Sequence, residues 1–341
     1  MIRLRDFIAC VAFVSAAPIL SAAAADAALA WTNPIAPHRA DPQILLHDGW
    51  YYLTATVPEY NRIELRRART LGELSTAEPK VIWSKHANGP MGAHIWAPEI
   101  HFMGGKWYVY FSAGDAKHIW DSRLYVLENS SPNPLEGTWT EKGKIQVNWE
   151  SFTLDATTFE LNGAHYLIWA QAVAGKRGTG IYIARMDTPW SITGKQVLLS
   201  WPEYPWEKVR CAVNEGPAVL VKNGHVFITY SASGTGAEYC LGMLTANANS
   251  NLLDPASWKK SPEPVFKTDA TVSQYGPGHN GFTTSPDGKV DILVYHDRNY
   301  EKIAGDPLLD TGRATRAQII HWKPDGTPDF GTPVADGPYK P

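Results

Sequence analysis

Five short segments of this 341-residue chain place an acid or an imidazole at the head of an apolar run: Asp41 in RADPQILL, Glu99 in WAPEIHF, Asp155 in TLDATTFEL, Glu215 in NEGPAVLV and His279 in GPGHNGFTT. Each stands six to nine residues ahead of a glycine that reads as a hairpin turn. Carboxyl groups gathered without an equal number of bases repel one another, and their pKa values separate. One can then stay ionised and accept a proton while another keeps a proton to donate, which is the division of labour in general acid–base catalysis. Taken singly, the residues have plainer roles. Asp41 before Pro is a turn former, Asp155 a strand-end acceptor and Glu215 before Gly-Pro a loop residue. Repetition of Asp41, Asp155 and Glu215 at one register, with aromatic residues nearby, favours catalysis. Glu99 is left out of that set, because it follows the bulky Trp96-Ala97-Pro98 turn, whose backbone donors can occupy its carboxylate.

The elements that must position these groups repeat with them. A glycine turn followed by an aromatic, β-branched strand recurs in HDGWYYLTAT, MGGKWYVYFSA, LNGAHYLIWA, KNGHVFITYSA and PDGKVDILVYHD, around Gly49, Gly105, Gly163, Gly224 and Gly288. The intervals are 56, 58, 61 and 64 residues. Such a period holds one four-stranded blade, so the expected fold is all-β, a five-bladed β-propeller over residues 28–341. A β-sandwich gives no reason to repeat one hairpin five times. With 28 Gly and 25 Pro punctuating the chain, long amphipathic helices have no room. In a propeller the strand before each first hairpin turn is innermost, so the five polar residues converge on one central cavity.

Arg3 and Arg5, the apolar stretch from Phe7 to Leu20 and the small-residue run ending near Ala27 read as a signal peptide over residues 1–27. The mature protein is expected to be secreted or periplasmic, with no membrane association after signal removal. A net charge of −3 without a basic patch argues against nucleic acid as a partner. Cys211 and Cys240 then remain in a compartment that allows a disulfide, and the sequence leaves their pairing open. No nucleophile elbow, P-loop or zinc-protease motif is present, and GTGIYIAR lacks the full dinucleotide fingerprint.

The segments RADPQI, HIWAPEIH, LDATTF, NEGPAVL and GPGHNGF, in this order and spacing, resemble glycoside hydrolase family 43, five-bladed propellers acting on arabinose- and xylose-containing polysaccharides. TATVPEYNRIELRRARTLGELSTAEP, MGAHIWAPEIHF and DPLLDTGRATRAQIIHW look like the branch of exo-acting 1,5-α-L-arabinofuranosidases. The resemblance implies hydrolysis with inversion. Asp41 matches the general base, Glu215 the general acid, and Asp155 the third carboxylate, which orients the acid and tunes its pKa. Inversion leaves room for a water, so the Asp41 and Glu215 carboxyls are expected roughly 6.5–9.5 Å apart.

Around the triad, Trp96 is a candidate to stack on a furanose ring, and Tyr60 and Asn61 to line the same pocket. Asn214 is a candidate to bond a hydroxyl. Arg316 in ATRAQIIHW resembles a family arginine that reaches substrate hydroxyls, with Arg313 the competing candidate. His279 matches a histidine beneath the sugar that can help hold an axial, mostly water-coordinated calcium. As a metal signature it is weak, since calcium prefers several oxygen ligands. No cofactor is expected to be required, with structural calcium as an option. The expected partners are arabinan and arabino-oligosaccharides, and the chain is expected to be a monomer. Rival readings are arabinoxylan-debranching, β-xylosidase and endo-arabinanase activity within the family and, outside enzymes, a carbohydrate-binding propeller. The last suits the chain less well, since the key residue changes from blade to blade.

Overall fold

Four of the five glycine turns are two-residue hairpin loops with positive φ at both central positions: Asp48-Gly49, Gly104-Gly105, Asn162-Gly163 and Asn223-Gly224. This geometry matches the right-handed twist of the flanking strands, and Asn, Asp and Gly adopt it at least cost. The fifth turn is longer, joining Thr284 to Asp291 around Gly288. The structure is a computed structural model that describes residues 29–339. The expected signal peptide, residues 1–27, lies outside the described residues.

Each hairpin belongs to an antiparallel meander. Blades 1 to 4 are four-stranded sheets within residues 40–84, 93–144, 153–200 and 214–260, and blade 5 is a three-stranded sheet within 275–319. The innermost strands are Ala40–His47, Ala93–Met103, Thr153–Leu161, Asn214–Lys222 and Tyr275–Thr284. Five blades thus stand where five repeats were counted, and the all-β expectation holds.

Strand alternation explains why the blades close into a ring. In the second strand of blade 3, Tyr166, Ile168 and Ala170 pack towards blade 4, whereas Leu167 and Trp169 pack towards blade 2. Five apolar clusters result, one at each interface between neighbouring blades. The inner strands of every blade are therefore packed on both faces, while outer strands such as Lys80–Ser84 and Thr140–Lys144 meet solvent.

Blade 5 is completed by residues 31–36. The Ile35 amide donates to the Thr315 carbonyl at 2.8 Å, and the Thr315 amide donates to that of Ala36 at 2.9 Å. The Asn33 side chain both accepts from the Ala317 amide (3.0 Å) and donates to the Ala317 carbonyl (2.9 Å). Trp31–Asn33 also pairs with Gly337–Tyr339, and the Trp31 and Tyr339 rings stack with centroids 4.5 Å apart. Joining the segments 31–36 and 337–339 to the last blade shuts the ring and fixes blade 1 against blade 5.

Candidate active site

Every innermost strand has a β-bulge in its first half at which one residue has positive φ: Asp41 (52°), Ala97 (46°), Asp155 (59°), Gly216 (53°) and His279 (42°); the strands of blades 2 and 5 carry a second, earlier bulge, with His94 (48°) and Gly276 (64°). Bulges re-aim side chains, and a left-handed non-glycine residue is strained unless its surroundings hold it. Here the holding is regular. The amide at the bulge donates to a side chain on the second strand of the preceding blade: Ala97 to the Thr56 hydroxyl (2.7 Å), Asp155 to Ser112 (2.9 Å), His279 to Ser231 (2.7 Å) and Asp41 to His296 Nδ1 (2.9 Å). Blade 3 has Ala170 at the matching place, paired with Leu154, and offers no acceptor. The Gly216 amide turns instead to Asp155 Oδ2, at 2.9 Å.

This pattern corrects the sequence alignment. Glu99 and Glu215 do not share the register of Asp41, Asp155 and His279; the equivalents are Ala97 and Gly216. Glu215 precedes the bulge by one residue and still reaches the cavity, because the turn at Gly216 re-aims it. Gly216 is constrained twice over, since a Cβ there would meet the His279 ring at 3.0 Å and the φ is left-handed. Glu99 follows the bulge by two residues and accepts from His101 Nε2 at 3.0 Å, away from the backbone donors expected for it.

One cavity of about 220 Å³ is lined by Asp41, Asp155, Glu215 and His279 together with Trp96 and Arg313. Asp41 Oδ1 lies 3.3 Å from Arg313 Nη1, from His279 Nδ1 and from His296 Nδ1. Burial alone opposes its ionisation, but His279, Arg313 and His296, with the Thr56 hydroxyl, outweigh it and hold the carboxyl well below the usual range. Of these, Arg313 supplies the lasting charge, since burial pushes both imidazoles below their ordinary value. Glu215 behaves oppositely. Burial, with the Asp41 charge, raises it to about 7 against the downward pull of the Tyr239 hydroxyl, which donates to Oε1 at 2.8 Å. Asp155 is raised well above its ordinary value by burial and then by the charges of Glu215 and Asp41, while the Gly216 amide opposes the rise. Asp155 and Glu215 therefore titrate as a pair that keeps a proton at neutral pH.

Of the candidate binding residues, Trp96 and His279 line this cavity. Tyr60 stands behind it: its hydroxyl accepts from Arg313 Nη2 at 3.0 Å and donates to the Leu308 carbonyl, and its ring meets Trp96 edge-on. Tyr60 thus does not line the pocket as expected, and three further expectations are corrected. Arg316 is buried outside the cavity, paired with Asp297 and Asp336, and Arg313 takes the place proposed for it. Asn214 points to the other face of its strand, into a buried network with Ser200 and Glu207. Asn61 accepts from Arg62 at 2.9 Å, in an ion-pair network with Glu59 and Glu64. Cys211 is a free thiol on the cavity wall and Cys240 a free thiol in the core.

Sequence reasoning missed His296, Tyr239 and Trp120. For His296 a signal existed. Four of the five second hairpin strands, in LTAT, YFSA, ITYSA and VYHD, present a polar residue at the paired position, where blade 3 has Ala170, and the histidine is the odd one among the four. Among the described residues no group of three or more His, Cys, Asp or Glu side chains is arranged to hold a metal ion. Calcium asks for roughly six to eight oxygens, while His279 offers one imidazole whose Nδ1 already faces two carboxylates. The donor set does not fit a protein-ligated calcium.

A family model described as Glycosyl hydrolases family 43 matches residues 31–328, which covers all five blades. The chain belongs to glycoside hydrolase family 43. This family 43 enzyme is 58% identical over 322 residues to an "Extracellular exo-alpha-(1->5)-L-arabinofuranosidase" of Streptomyces avermitilis, covering 94% of this chain and 67% of that protein. A protein of the same name from Streptomyces chartreusis is 57% identical over 279 residues, 81% of this chain and 85% of its own. Among solved structures, an alpha-L-arabinofuranosidase from Lactobacillus brevis superposes with a TM-score of 0.87 at 48% identity, covering 90% of this chain and 98% of that one. The expected glycoside hydrolase and its propeller are thereby established. No helix among the described residues is long and apolar enough to cross a membrane.

Proposed function

We propose that this family 43 enzyme releases terminal α-L-arabinofuranose from 1,5-linked arabinan and arabino-oligosaccharides, with inversion at the anomeric carbon. The observation that carries the reading is one small pocket in which Asp41 is held ionised beside Arg313 while Glu215 keeps its proton towards neutrality. A volume of about 220 Å³ lies below the roughly 300–1,000 Å³ of clefts that take larger ligands, and suits a single furanose ring. The names of the two Streptomyces relatives support the same substrate.

In this mechanism Asp41 takes a proton from a water as its oxygen bonds to the anomeric carbon. Glu215 gives its proton to the glycosidic oxygen as the bond from that oxygen to the anomeric carbon breaks. Asp155 orients the acid through the Gly216 amide next in the chain and shares a proton with Glu215, ionisation of either opposing ionisation of the other. Trp96 offers a face for the ring, and His279 and Arg313 offer donors to its hydroxyls. The carboxyls supply both proton transfers, so no cofactor is required, and exhaustive chelation is expected to leave the rate unchanged. Any axial calcium near His279 would be held largely by water and would then be lost to the chelator. Export to the periplasm or beyond and action as a monomer complete the proposal.

The deciding experiment is an NMR time course on linear 1,5-α-arabino-oligosaccharides that follows product length and the first anomeric signal. β-Arabinofuranose monomer as the initial product is the expected result. Longer fragments would mean endo action, an initial α-product would remove the inverting mechanism, and release only from arabinoxylan or xylosides would move the substrate elsewhere in the family. Binding without release would leave a carbohydrate-binding propeller.

A further inference from the structure

His296 is the one imidazole in a ring of anchors that otherwise uses three hydroxyls and a carboxylate. Three of the five bulge amides are held by Thr56, Ser112 and Ser231, and the fourth by Asp155; the Asp41 amide alone is held by an imidazole. The ring is 1% exposed and belongs to the second strand of blade 5, where it is paired with Gly278. Its Nδ1 lies 2.9 Å from the Asp41 amide nitrogen and 3.3 Å from Asp41 Oδ1, so one nitrogen meets both the backbone and the carboxylate of the same residue.

A backbone N–H can only donate, so the shorter contact requires a lone pair on Nδ1 and puts the imidazole proton on Nε2. A serine or threonine hydroxyl would also accept from the amide, as in the other blades. What the imidazole adds is a flat face. It stacks on Tyr239 with ring centroids 5.8 Å apart and planes within 6°, and the Tyr239 hydroxyl donates to Glu215 Oε1 at 2.8 Å. Through one buried ring the base-bearing residue at the start of blade 1 and the hydroxyl that holds the acid in blade 4 are fixed relative to each other. The other charged and titratable groups facing the ring are Arg313, His279 and Arg298.

We infer that His296 is a positioning residue for the hydrolytic reaction, which in its Nε2–H tautomer anchors the strained Asp41 backbone and sets the distance between Asp41 and Glu215 by buttressing Tyr239. The inference rests on the proposed roles of Asp41 and Glu215. It assigns His296 no contact with substrate and no proton transfer. Misplacement of about 1 Å in such a site costs on the order of 10²-fold in rate.

The test compares His296→Asn, whose side-chain oxygen can stand near the Nδ1 position, with His296→Leu, which fills the space without an acceptor. His296→Leu should lose kcat by roughly 10²-fold with KM changed by less than about threefold, and His296→Asn should recover roughly tenfold of that loss. Equal losses in the two variants, or full kcat in His296→Leu, would overturn the inference. A merely structural role would lower thermal stability in both without the split between kcat and KM. The wild-type enzyme supplies a readout that needs no variant: ¹⁵N-resolved imidazole spectra at the working pH should give the Nε2–H tautomer for His296, and the Nδ1–H tautomer or an imidazolium would overturn the assignment. Asp41→Ala separates this inference from the one beneath it. If Asp41→Ala keeps activity the base assignment itself fails, whereas loss in Asp41→Ala with normal His296 variants removes only the role of His296.

Discussion

On the floor of the pocket Asp41, Asp155 and His279 are less than one-tenth exposed and each is tied to a neighbouring blade, whereas on the loops above it Trp120 is 54% and Leu309 73% exposed. The floor groups sit at strained bulges that cross-blade hydrogen bonds hold in place, so their geometry is over-determined. The loops are anchored unequally. Arg298, itself buried, clamps the blade 5 loop through Asp310 (2.8 Å) and the Pro307 carbonyl (2.8 Å), and Tyr60 holds the Leu308 carbonyl. Trp120 rests edge-on against His94 with centroids 4.8 Å apart, and its loop is tied by the Ala116 amide to the Gly89 carbonyl (2.9 Å), by the Asp121 amide to the His118 carbonyl (2.8 Å) and by the Asp121–Arg123 ion pair, which leave the Trp120 side chain half exposed. The difference separates two tasks. In the proposed reaction the rigid floor would fix which bond breaks, and the more exposed aromatic rim would select what is attached on the far side of that bond.

The sharpest break in this comparison comes from the floor. Asp41→Ala should reduce kcat by roughly 10³-fold, the middle of the range for general acid–base catalysis, with every substrate affected alike and the fold retained by circular dichroism. A loss that depended on the leaving group would blur floor into rim. Asp155→Asn comes next. An asparagine there still accepts from the Gly216 amide but removes the second ionisable carboxyl of the pair, so the Glu215 carboxyl should titrate at lower pH. Because the acid must be protonated, kcat/KM should fall as pH rises through about 7 in the wild type, and this limb should move to lower pH in the variant, with roughly 10²-fold lower kcat. An unmoved limb would take Asp155 out of the tuning role.

Arg313 tests the same floor from the acidic side. Replacing it by methionine removes the cation that keeps Asp41 ionised, so the base should protonate at higher pH and the acidic limb should rise towards the ordinary aspartate value of about 3.9. The sign is fixed: a base loses function when protonated, so activity at about pH 3 should fall by roughly tenfold while Arg313→Lys, which keeps a charge, moves the limb less. If methionine and lysine give the same profile, the arginine acts by shape rather than charge.

The floor was also the part most legible in the sequence, and the reason is geometric. Strand alternation, glycine turns and a constant period are local signals, and they located five blades and the three carboxyl groups. Register inside each bulge is not local, because the left-handed residue is chosen by acceptors on the preceding blade; this is why Glu99 and Glu215 were aligned with Asp41 although Ala97 and Gly216 are the true equivalents. Alternation also misled where its phase was unknown. Asn214 and Glu215 are neighbours on one strand and face opposite ways, and Arg313 precedes the strand Ala314–Ile319 that carries Arg316 off to Asp297 and Asp336. Trp120 belongs to a loop, where composition says nothing of direction, and its place at the mouth depends on the fold of blade 2.

That loop gives the smallest and most selective effect. Trp120 lines the cavity beside Trp96, 5.9 Å between ring centroids, and its exposed face is free to meet the part of the substrate that leaves. An aromatic face adds about 0.5–1.5 kcal/mol beyond its buried area, so Trp120→Ala should lower kcat/KM on arabinotriose by up to about tenfold, mostly through KM. A small aryl arabinofuranoside presents no second sugar and should lose less than about threefold. Equal losses on both substrates would place Trp120 against the ring being cleaved, and the floor would then extend up to the rim. A selective loss would instead mean that the chemistry of this propeller resides in its bulges and its choice of leaving group in one loop of blade 2.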